Sequence, residues 1–425
     1  MPTGVTATDQ HLLLNRERLT RLRWRWAMIV SAYLVLAVGG YWWLRHAWSP
    51  AYAQRWLLIA ALVLARESWL LWHGLAANHR PEDDLLLPSL GYGNGLTIAR
   101  GLTIALLAGF IFAPRPPGWL AWLPAIFYTI TAVLDNLDGY VARITNHTTK
   151  LGEMLDMEFD VLGILTAVLL AIGYGQLPVW YLGVGLAREI FLLGHWVLRR
   201  LNKPVYALPP SADRRLIAGL QMGFLCVVLW PIFTPPVTTV AAVLFTVPMV
   251  VSFGRDWLVT SGALAVESRR YQRLRHSFKR LLEHYLPVVA RLAAVGAVGA
   301  LLLGEMTGRA AWGAGSVMET NGWIWLLMAV TVIAAAALAF GVLGRLAALV
   351  LVAVACFDTL AAGFVWQTNG ALLTAALYVL IFGSGAWSRW RTEERVLRHR
   401  AGDPWETAPA SEIDASIRPT RHPVK

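Results

Sequence analysis

Four aspartates lie at helical spacings in two neighbouring apolar stretches of the sequence. Asp135 and Asp138 are three residues apart in AVLDNLDGYVARI, and Asp156 and Asp160 are four residues apart in KLGEMLDMEFDVLG. Side chains at these spacings lie on one face of an α-helix. Acids within apolar membrane segments are energetically expensive and are functional candidates by default. The sequence therefore predicts two pairs of carboxylates, each pair on one helix face.

A short polar turn joins the two stretches and predicts an antiparallel helical hairpin. The turn reads ITNHTTK, with His147 near its middle. Asp138 and Asp156 lie nine residues before and after His147, while Asp135 and Asp160 lie twelve before and thirteen after it. The hairpin is therefore expected to bring all four carboxylates to about the same depth.

Four carboxylates held close together require compensating cations, because their negative charges repel one another. Mg²⁺ or Mn²⁺ suits such a cluster, since hard divalent ions prefer oxygen ligands, and a pair of ions commonly clamps a substrate phosphate. We expect two ions here. Gly139 and Gly152 remove side chains beside the acids, which lets a large ligand approach the backbone. Arg143, one turn after Gly139, is placed to meet a phosphate.

The spacing of these residues resembles the signature of a known family. The run Asp135-x2-Asp138-Gly139-x2-Ala142-Arg143-x8-Gly152-x3-Asp156-x3-Asp160 matches the CDP-alcohol phosphotransferase (phosphatidyltransferase) signature at every fixed position. Lesser likenesses extend the resemblance to about residues 90–255, namely a first-helix element NGLTIAR, a fourth-helix element ARE and a fifth-helix start RLIAGLQ.

The resemblance implies a six-helix core that transfers a phospho-lipid group from a CDP-linked donor to an alcohol or phospho-alcohol, releasing CMP. Carried over by position, all four aspartates would hold the metal ions, and Asp160 would also deprotonate the acceptor hydroxyl. Further positions would line or border the CDP pocket: Asn94, Thr97, Arg100, Gly139, Ala142, Arg143 and Gly152. Three basic residues are candidates for holding the acceptor: Arg188, Arg214 and Arg215. The alternatives are that Arg188 pairs with Glu189 or a neighbouring helix, and that Arg214 and Arg215 anchor the chain at the cytoplasmic surface. The resemblance also implies a homodimer and an active site open to the cytoplasm.

The composition is that of an integral membrane protein. Of 425 residues, 57% are apolar and 15% are charged, whereas a soluble protein carries roughly a quarter charged residues. A membrane helix needs about 20 mostly apolar residues, so the sequence predicts an all-α fold of about twelve transmembrane helices. The runs lie near 26–44, 56–75, 96–113, 119–141, 151–174, 178–198, 216–234, 237–253, 286–304, 322–343, 346–366 and 370–387.

The positive charges favour membrane lipids over nucleic acid as partners. The net charge of +11 is spread between apolar runs and is concentrated in alternate connections. Lys and Arg accumulate on the cytoplasmic side of membranes. We therefore expect a multi-pass protein of the plasma membrane with both termini in the cytoplasm. Cys226 and Cys356 each lie in an apolar stretch and are expected to be core residues without a disulfide.

Charge and apolar runs divide the chain into five predicted parts. They are a two-span extension (1–80), the phosphotransferase-like core (81–260), a basic interfacial linker (261–283), a four-span block (284–390) and a charged tail (391–425). The four-span block loosely resembles DoxX-like membrane modules, and the alternative is that it packs against the core or mediates oligomer contacts. Arg66 and Glu67, in the middle of the second span, are expected to pair with each other.

An ion-coupled transporter is the alternative to the enzyme. In that case the aspartates would bind a translocated cation. The Gly139-x2-Ala142-Arg143 element favours the enzyme, because a cation path does not require it.

Overall fold

The computed structural model of the chain describes residues 7–206, 212–264, 277, 280–306 and 323–390. These residues contain helices and no β-strand, which confirms the all-α class. Six helices precede residue 187: α1 (Ala7–Ala47), α2 (Pro50–Gly74), α3 (Gly91–Ala108), α4 (Leu123–Ile144), α5 (Lys150–Gly173) and the short α6 (Leu182–Gly185). Seven follow: α7 (Ala187–Arg200), α8 (Ala212–Val228), α9 (Val237–Thr260), α10 (Leu286–Met306), α11 (Trp323–Phe340), α12 (Gly344–Ala362) and α13 (Ala371–Phe382).

Six helical segments in the described residues are long and apolar enough to cross a membrane. They are His11–Ala47, Pro50–Ala77, Gly118–Ile144, Val237–Thr260, Leu281–Gly304 and Gly344–Ala362. The number becomes seven if Val179–Gly185 and Ala187–Arg200 count as one span. These are the helices of a multi-pass membrane protein, but the predicted count of about twelve is not confirmed.

Two features of the described residues account for the lower count. The helices α3 and α5 coincide with predicted spans but carry polar and charged residues that lower their hydropathy. Within the described residues, three other apolar helices are 10–17 residues long, namely Leu216–Val228, Ile324–Phe340 and Trp366–Phe382.

The described residues form two units by their internal contacts. The first comprises residues 7–186 and Met222–Thr234, and the second comprises Ala187–Gln221 and residues 235–390 within the described part of the chain. The five predicted parts remain a prediction. Most of the predicted linker and the whole charged tail lie outside the described residues.

In the first unit, the N-terminal helices α1 and α2 pack directly on α3. The buried apolar residues of this core come from α1, α2, α3 and α5 and include Leu22, Leu64, Ile104, Leu155 and Phe159. Two side chains of the extension also donate hydrogen bonds to backbone carbonyls of α3. Tyr33 donates to Ile98 at 2.7 Å, and Trp56 donates to Leu106 at 3.0 Å. The predicted 1–80 extension therefore shares one core with the helices that carry the site.

The predicted hairpin forms from α4 and α5. Pro124 lies in the first turn of α4, where its missing N–H costs no hydrogen bond. Thr149 caps α5, because its Oγ1 accepts a hydrogen bond from the Gly152 N–H at 3.0 Å. Between the two helices Asn146 adopts a positive φ of 50°, and the His147 ring contacts the carbonyl of Ser89 at 3.1 Å.

In the second unit, Arg291 of α10 ties three parts of the chain together through backbone carbonyls. Its guanidinium is buried and donates to Leu338 at 2.7 Å, to Ser384 and Ala386 at 3.0 Å each, and to Ala339. The resemblance of this block to DoxX-like modules remains a prediction.

Candidate active site

The four aspartates come together around one arginine. Arg100 of α3 is 1% exposed and lies among the carboxylates of α4 and α5. Its Nη1 donates to Asp135 and, at 3.1 Å, to Asp160, while its Nη2 donates to Asp156 at 2.9 Å. Nη1 is also 3.8 Å from Asp138. The hairpin thus brings all four predicted carboxylates within reach of a single guanidinium.

The cluster carries more negative than positive charge. Four ionised carboxylates against one guanidinium leave an excess of three negative charges. The side chains of Asp156 and Asp160 are 49% and 42% exposed, whereas those of Asp135 and Asp138 are 22% and 6% exposed. The site is therefore buried on its α4 side and accessible on its α5 side, where a ligand can enter.

The donor set fits a divalent cation. Single carboxylate oxygens of Asp135, Asp156 and Asp160 all lie within 4.8 Å of one another. Carboxylate oxygens are the ligands that Mg²⁺ and Mn²⁺ prefer. The excess negative charge provides the driving force for adding cations.

Asp138 is held differently from the other three acids. Its Oδ2 accepts a hydrogen bond from the Thr97 hydroxyl at 2.8 Å, and its Oδ1 accepts one from the Gly139 N–H at 2.6 Å. Thr97 in turn is buried on α3. This predicted nucleotide-pocket residue therefore orients one of the predicted metal ligands.

Asn94 and Gly152 meet at the crossing of α3 and α5. A Cβ added to Gly152 would collide with the Asn94 amide oxygen, so glycine allows this close approach without a shift of the Asn94 side chain. The Asn94 Nδ2 donates to Thr149 at 3.0 Å and to Asn78 at 3.4 Å. The two predicted residues are in contact with each other, and they lie one helical turn before Thr97 and Asp156 respectively.

The other predicted nucleotide residues lie on α4. Ala142 packs against Gly93, where an added Cβ would approach the Ala142 Cβ to 2.7 Å. Arg143 is exposed, and its Nη1 lies 3.2 Å from the position of a Cβ built on Gly139. An exposed guanidinium one turn from Asp138 can meet a phosphate from solvent.

The predicted acceptor residues belong to the second unit. Arg188 is half-buried at the start of α7. Arg214 lies 3.4 Å from the carboxylate of Asp256, which Arg255 also contacts at 2.7 Å. The side chain of Arg215 lies outside the described residues. The role of these arginines in acceptor binding remains a prediction.

Arg100 was expected to border the nucleotide pocket, together with Asn94 and Thr97, but not to contact the aspartates. An intramembrane arginine is itself a signal that carboxylates lie nearby. The expected pairing of Arg66 with Glu67 is wrong. Arg66 pairs with Glu158 of α5 at 2.6 Å, and Glu67 points elsewhere.

Comparison with known proteins supports the chemistry that the geometry indicates. Residues 91–253 match the family model described as CDP-alcohol phosphatidyltransferase. The matched segment includes α3, α4, α5 and all four aspartates, so the family resemblance is confirmed for this part of the chain.

Individual relatives match shorter stretches. A CDP-diacylglycerol–glycerol-3-phosphate 3-phosphatidyltransferase from Cereibacter sphaeroides is 32% identical over 105 residues, which are 24% of this chain and 47% of that protein. A CMP-forming cardiolipin synthase from Streptomyces coelicolor is 36% identical over 130 residues, 28% of this chain and 57% of the relative. Cholinephosphotransferase 1 from Danio rerio is 32% identical over 84 residues, 19% of this chain and 22% of the relative.

The matched region thus spans about half the length of the first two relatives. No solved structure matches the chain.

Proposed function

We propose that the chain is a membrane enzyme that transfers a phosphatidyl-type group from a CDP-linked lipid to an alcohol, with release of CMP, in phospholipid biosynthesis. The observation that carries this proposal is the convergence of Asp135, Asp156 and Asp160 within a segment that matches the family model. An accessible cluster of carboxylates with excess negative charge suits the handling of phosphate groups through divalent cations.

In the proposed reaction, Asp160 accepts the proton of the acceptor hydroxyl. The acceptor oxygen then bonds to the lipid-side phosphorus, the bond between that phosphorus and the oxygen of CMP breaks, and CMP leaves with the electron pair. Asp160 suits the role of general base because its side chain is 42% exposed, so an acceptor can reach it.

The four aspartates are the proposed ligands of two ions, Mg²⁺ or Mn²⁺. When bound, the ions would neutralise the negative charge of the donor pyrophosphate. Thr97 and the Gly139 N–H keep Asp138 oriented, and Arg143 offers a guanidinium to the phosphates from the accessible side. The proposed nucleotide pocket is formed by these residues together with Asn94, Ala142 and Gly152.

The membrane arrangement is also a proposal. The distribution of Lys and Arg in the sequence supports an active site and both termini on the cytoplasmic side of the plasma membrane. We further propose that Arg188, Arg214 and Arg215 hold the acceptor. The family resemblance also supports the proposal that the enzyme is a homodimer.

Release of CMP tests the function directly. Purified full-length chain is mixed with CDP-diacylglycerol, Mg²⁺ and a panel of acceptors that includes glycerol phosphate, inositol phosphate and serine. We expect Mg²⁺-dependent CMP release with at least one acceptor. Asp160→Asn should lower the rate by about 10² to 10⁴, the usual contribution of a general base.

Asp84→Asn provides a matched control, because Asp84 is exposed in the loop before α3. Its rate should equal that of the wild type. If Asp160→Asn retained full activity, Asp160 would not be the base. Metal-dependent ion flux in vesicles without CMP release would instead support the transporter.

A further inference from the structure

Glu67 is a buried carboxylate that lacks a partner in the structure. It lies in the middle of α2, outside the segment that matches the family model, and is 1% exposed. Neither of its carboxylate oxygens accepts a hydrogen bond from any residue that the structure describes. Leaving a buried carboxylate unsatisfied is costly. The unfavourable burial of Glu67 in α2 therefore requires an explanation.

The Glu67 carboxylate faces α3 next to Arg100. A Cβ built on Gly101, the residue that follows Arg100, would lie 3.0 Å from the Glu67 Oε2. Because Gly101 has no side chain, the carboxylate can lie against the α3 backbone at this point. Arg66 and Arg100 are the cations that act electrostatically on Glu67. Since Arg66 already pairs with Glu158, Arg100 is the cation from which Glu67 can accept a hydrogen bond.

Arg100 also has an unsatisfied group. Its two terminal nitrogens contact the aspartates, but its buried Nε–H has no acceptor within the described part of the chain. A divalent cation on Asp135, Asp156 and Asp160 would take the carboxylates that now neutralise Arg100, and would repel the guanidinium. A buried guanidinium that loses its partners needs another carboxylate nearby.

We propose that Glu67 is an alternative counter-ion of Arg100. It pairs with the guanidinium when divalent cations occupy the aspartates. Glu67 is then a positioning residue, because it acts through Arg100 and touches no substrate. The inference rests on the metal site of the proposed function, but not on the transfer reaction. It also gives the N-terminal extension a role in metal binding, through a helix that the family model does not include.

The affinity for metal reports on the movement of Arg100 from the aspartates to Glu67, and its measurement does not depend on enzymatic activity. Mn²⁺ binding to the purified full-length chain is followed by electron paramagnetic resonance of the free ion. Glu67→Gln keeps the size of the side chain but cannot form a carboxylate, so Arg100 leaves the aspartates less readily. We expect Mn²⁺ to bind about tenfold more weakly, which is within the usual range of coupling between sites. Glu67→Asp, which keeps a carboxyl group, should recover part of the loss.

A double-mutant cycle separates this role from a merely structural one. Arg100→Gln removes the competing cation, so Mn²⁺ should bind more tightly, and adding Glu67→Gln to this variant should then have no further effect. Additive effects would overturn the proposal. Glu17→Gln is the matched control, because Glu17 lies exposed on α1 and pairs with Arg21. It should bind Mn²⁺ like the wild type.

The possible failures are distinguishable. If the wild type binds no Mn²⁺, the metal site of the proposed function is wrong and this inference falls with it. If the wild type binds Mn²⁺ and Glu67→Gln binds it equally well, the exchange is overturned while the proposed function stands. This second comparison needs no Arg100 variant, so it decides the matter even if Arg100→Gln fails to fold.

Discussion

At the scale of single residues, a hydrogen bond from α3 helps to orient the most buried aspartate. Asp138 is the most buried of the four, with a side chain 6% exposed, and both of its oxygens already accept a hydrogen bond. Thr97 provides one of these bonds from a neighbouring helix. The geometry of this carboxylate is therefore set before any ligand arrives.

Replacing the Thr97 hydroxyl should destabilise the protein. Thr97→Val keeps the shape of the side chain but leaves the Asp138 Oδ2 without its donor at 2.8 Å. A hydrogen bond to a charged group contributes about 1.5–3 kcal/mol, so the midpoint of thermal unfolding in detergent should fall. Thr97→Ser retains the donor and should remain close to the wild type. Equal midpoints for the two variants would show that this bond does not hold Asp138.

At the scale of elements, α3 contacts both helices of the aspartate hairpin through small residues. Gly93 meets α4 at Ala142, and Asn94 meets α5 at Gly152. Small residues let membrane helices approach closely. This close approach is what allows Arg100, further along the same helix, to reach all four carboxylates.

Two glycines of α3 provide a matched test of this packing. In Gly93→Ala, the new Cβ would lie 2.7 Å from the Ala142 Cβ and 3.0 Å from the Asp138 carbonyl oxygen, whereas at Gly95 nothing lies within 4 Å. Overpacking costs about 1–3 kcal/mol, so Gly93→Ala should lower the midpoint of thermal unfolding. Gly95→Ala should leave it unchanged or raise it, because alanine favours a helix by about 0.5–1 kcal/mol over glycine. A similar fall in both variants would indicate that the α3–α4 contact is looser than described.

The two aspartate pairs could be predicted from the sequence, because helical spacing is a local property. It could not reveal Arg100 among them, since that contact depends on how α3 docks against residues 35 to 60 positions later. The wrong pairing of Arg66 with Glu67 has the same origin. Adjacent residues on a helix point in different directions, so Arg66 meets α5 while Glu67 meets α3, and only the packing shows this.

At the scale of the whole molecule, the proposed orientation predicts which loops face the cell exterior. Thr148 and Pro114 are exposed in the connections after and before α4. The two native cysteines are free and can be replaced, as Cys226→Ala and Cys356→Ala, to give a background without thiols. An impermeant thiol reagent added to intact cells should then label Pro114→Cys and spare Thr148→Cys.

Permeabilised cells provide the control, because both variants should then be labelled. The opposite pattern in intact cells would place the aspartates on the outer face of the membrane and would contradict the proposed cytoplasmic site.

The arginine among the aspartates also bears on how the protein is made. Because Arg100 places a positive charge among the acids from a neighbouring helix, the chain itself relieves part of their mutual repulsion. We therefore expect a newly synthesised chain to complete its insertion and assembly before it binds any ion. Scarce metal should then lower the proposed activity while the amount of folded protein stays the same.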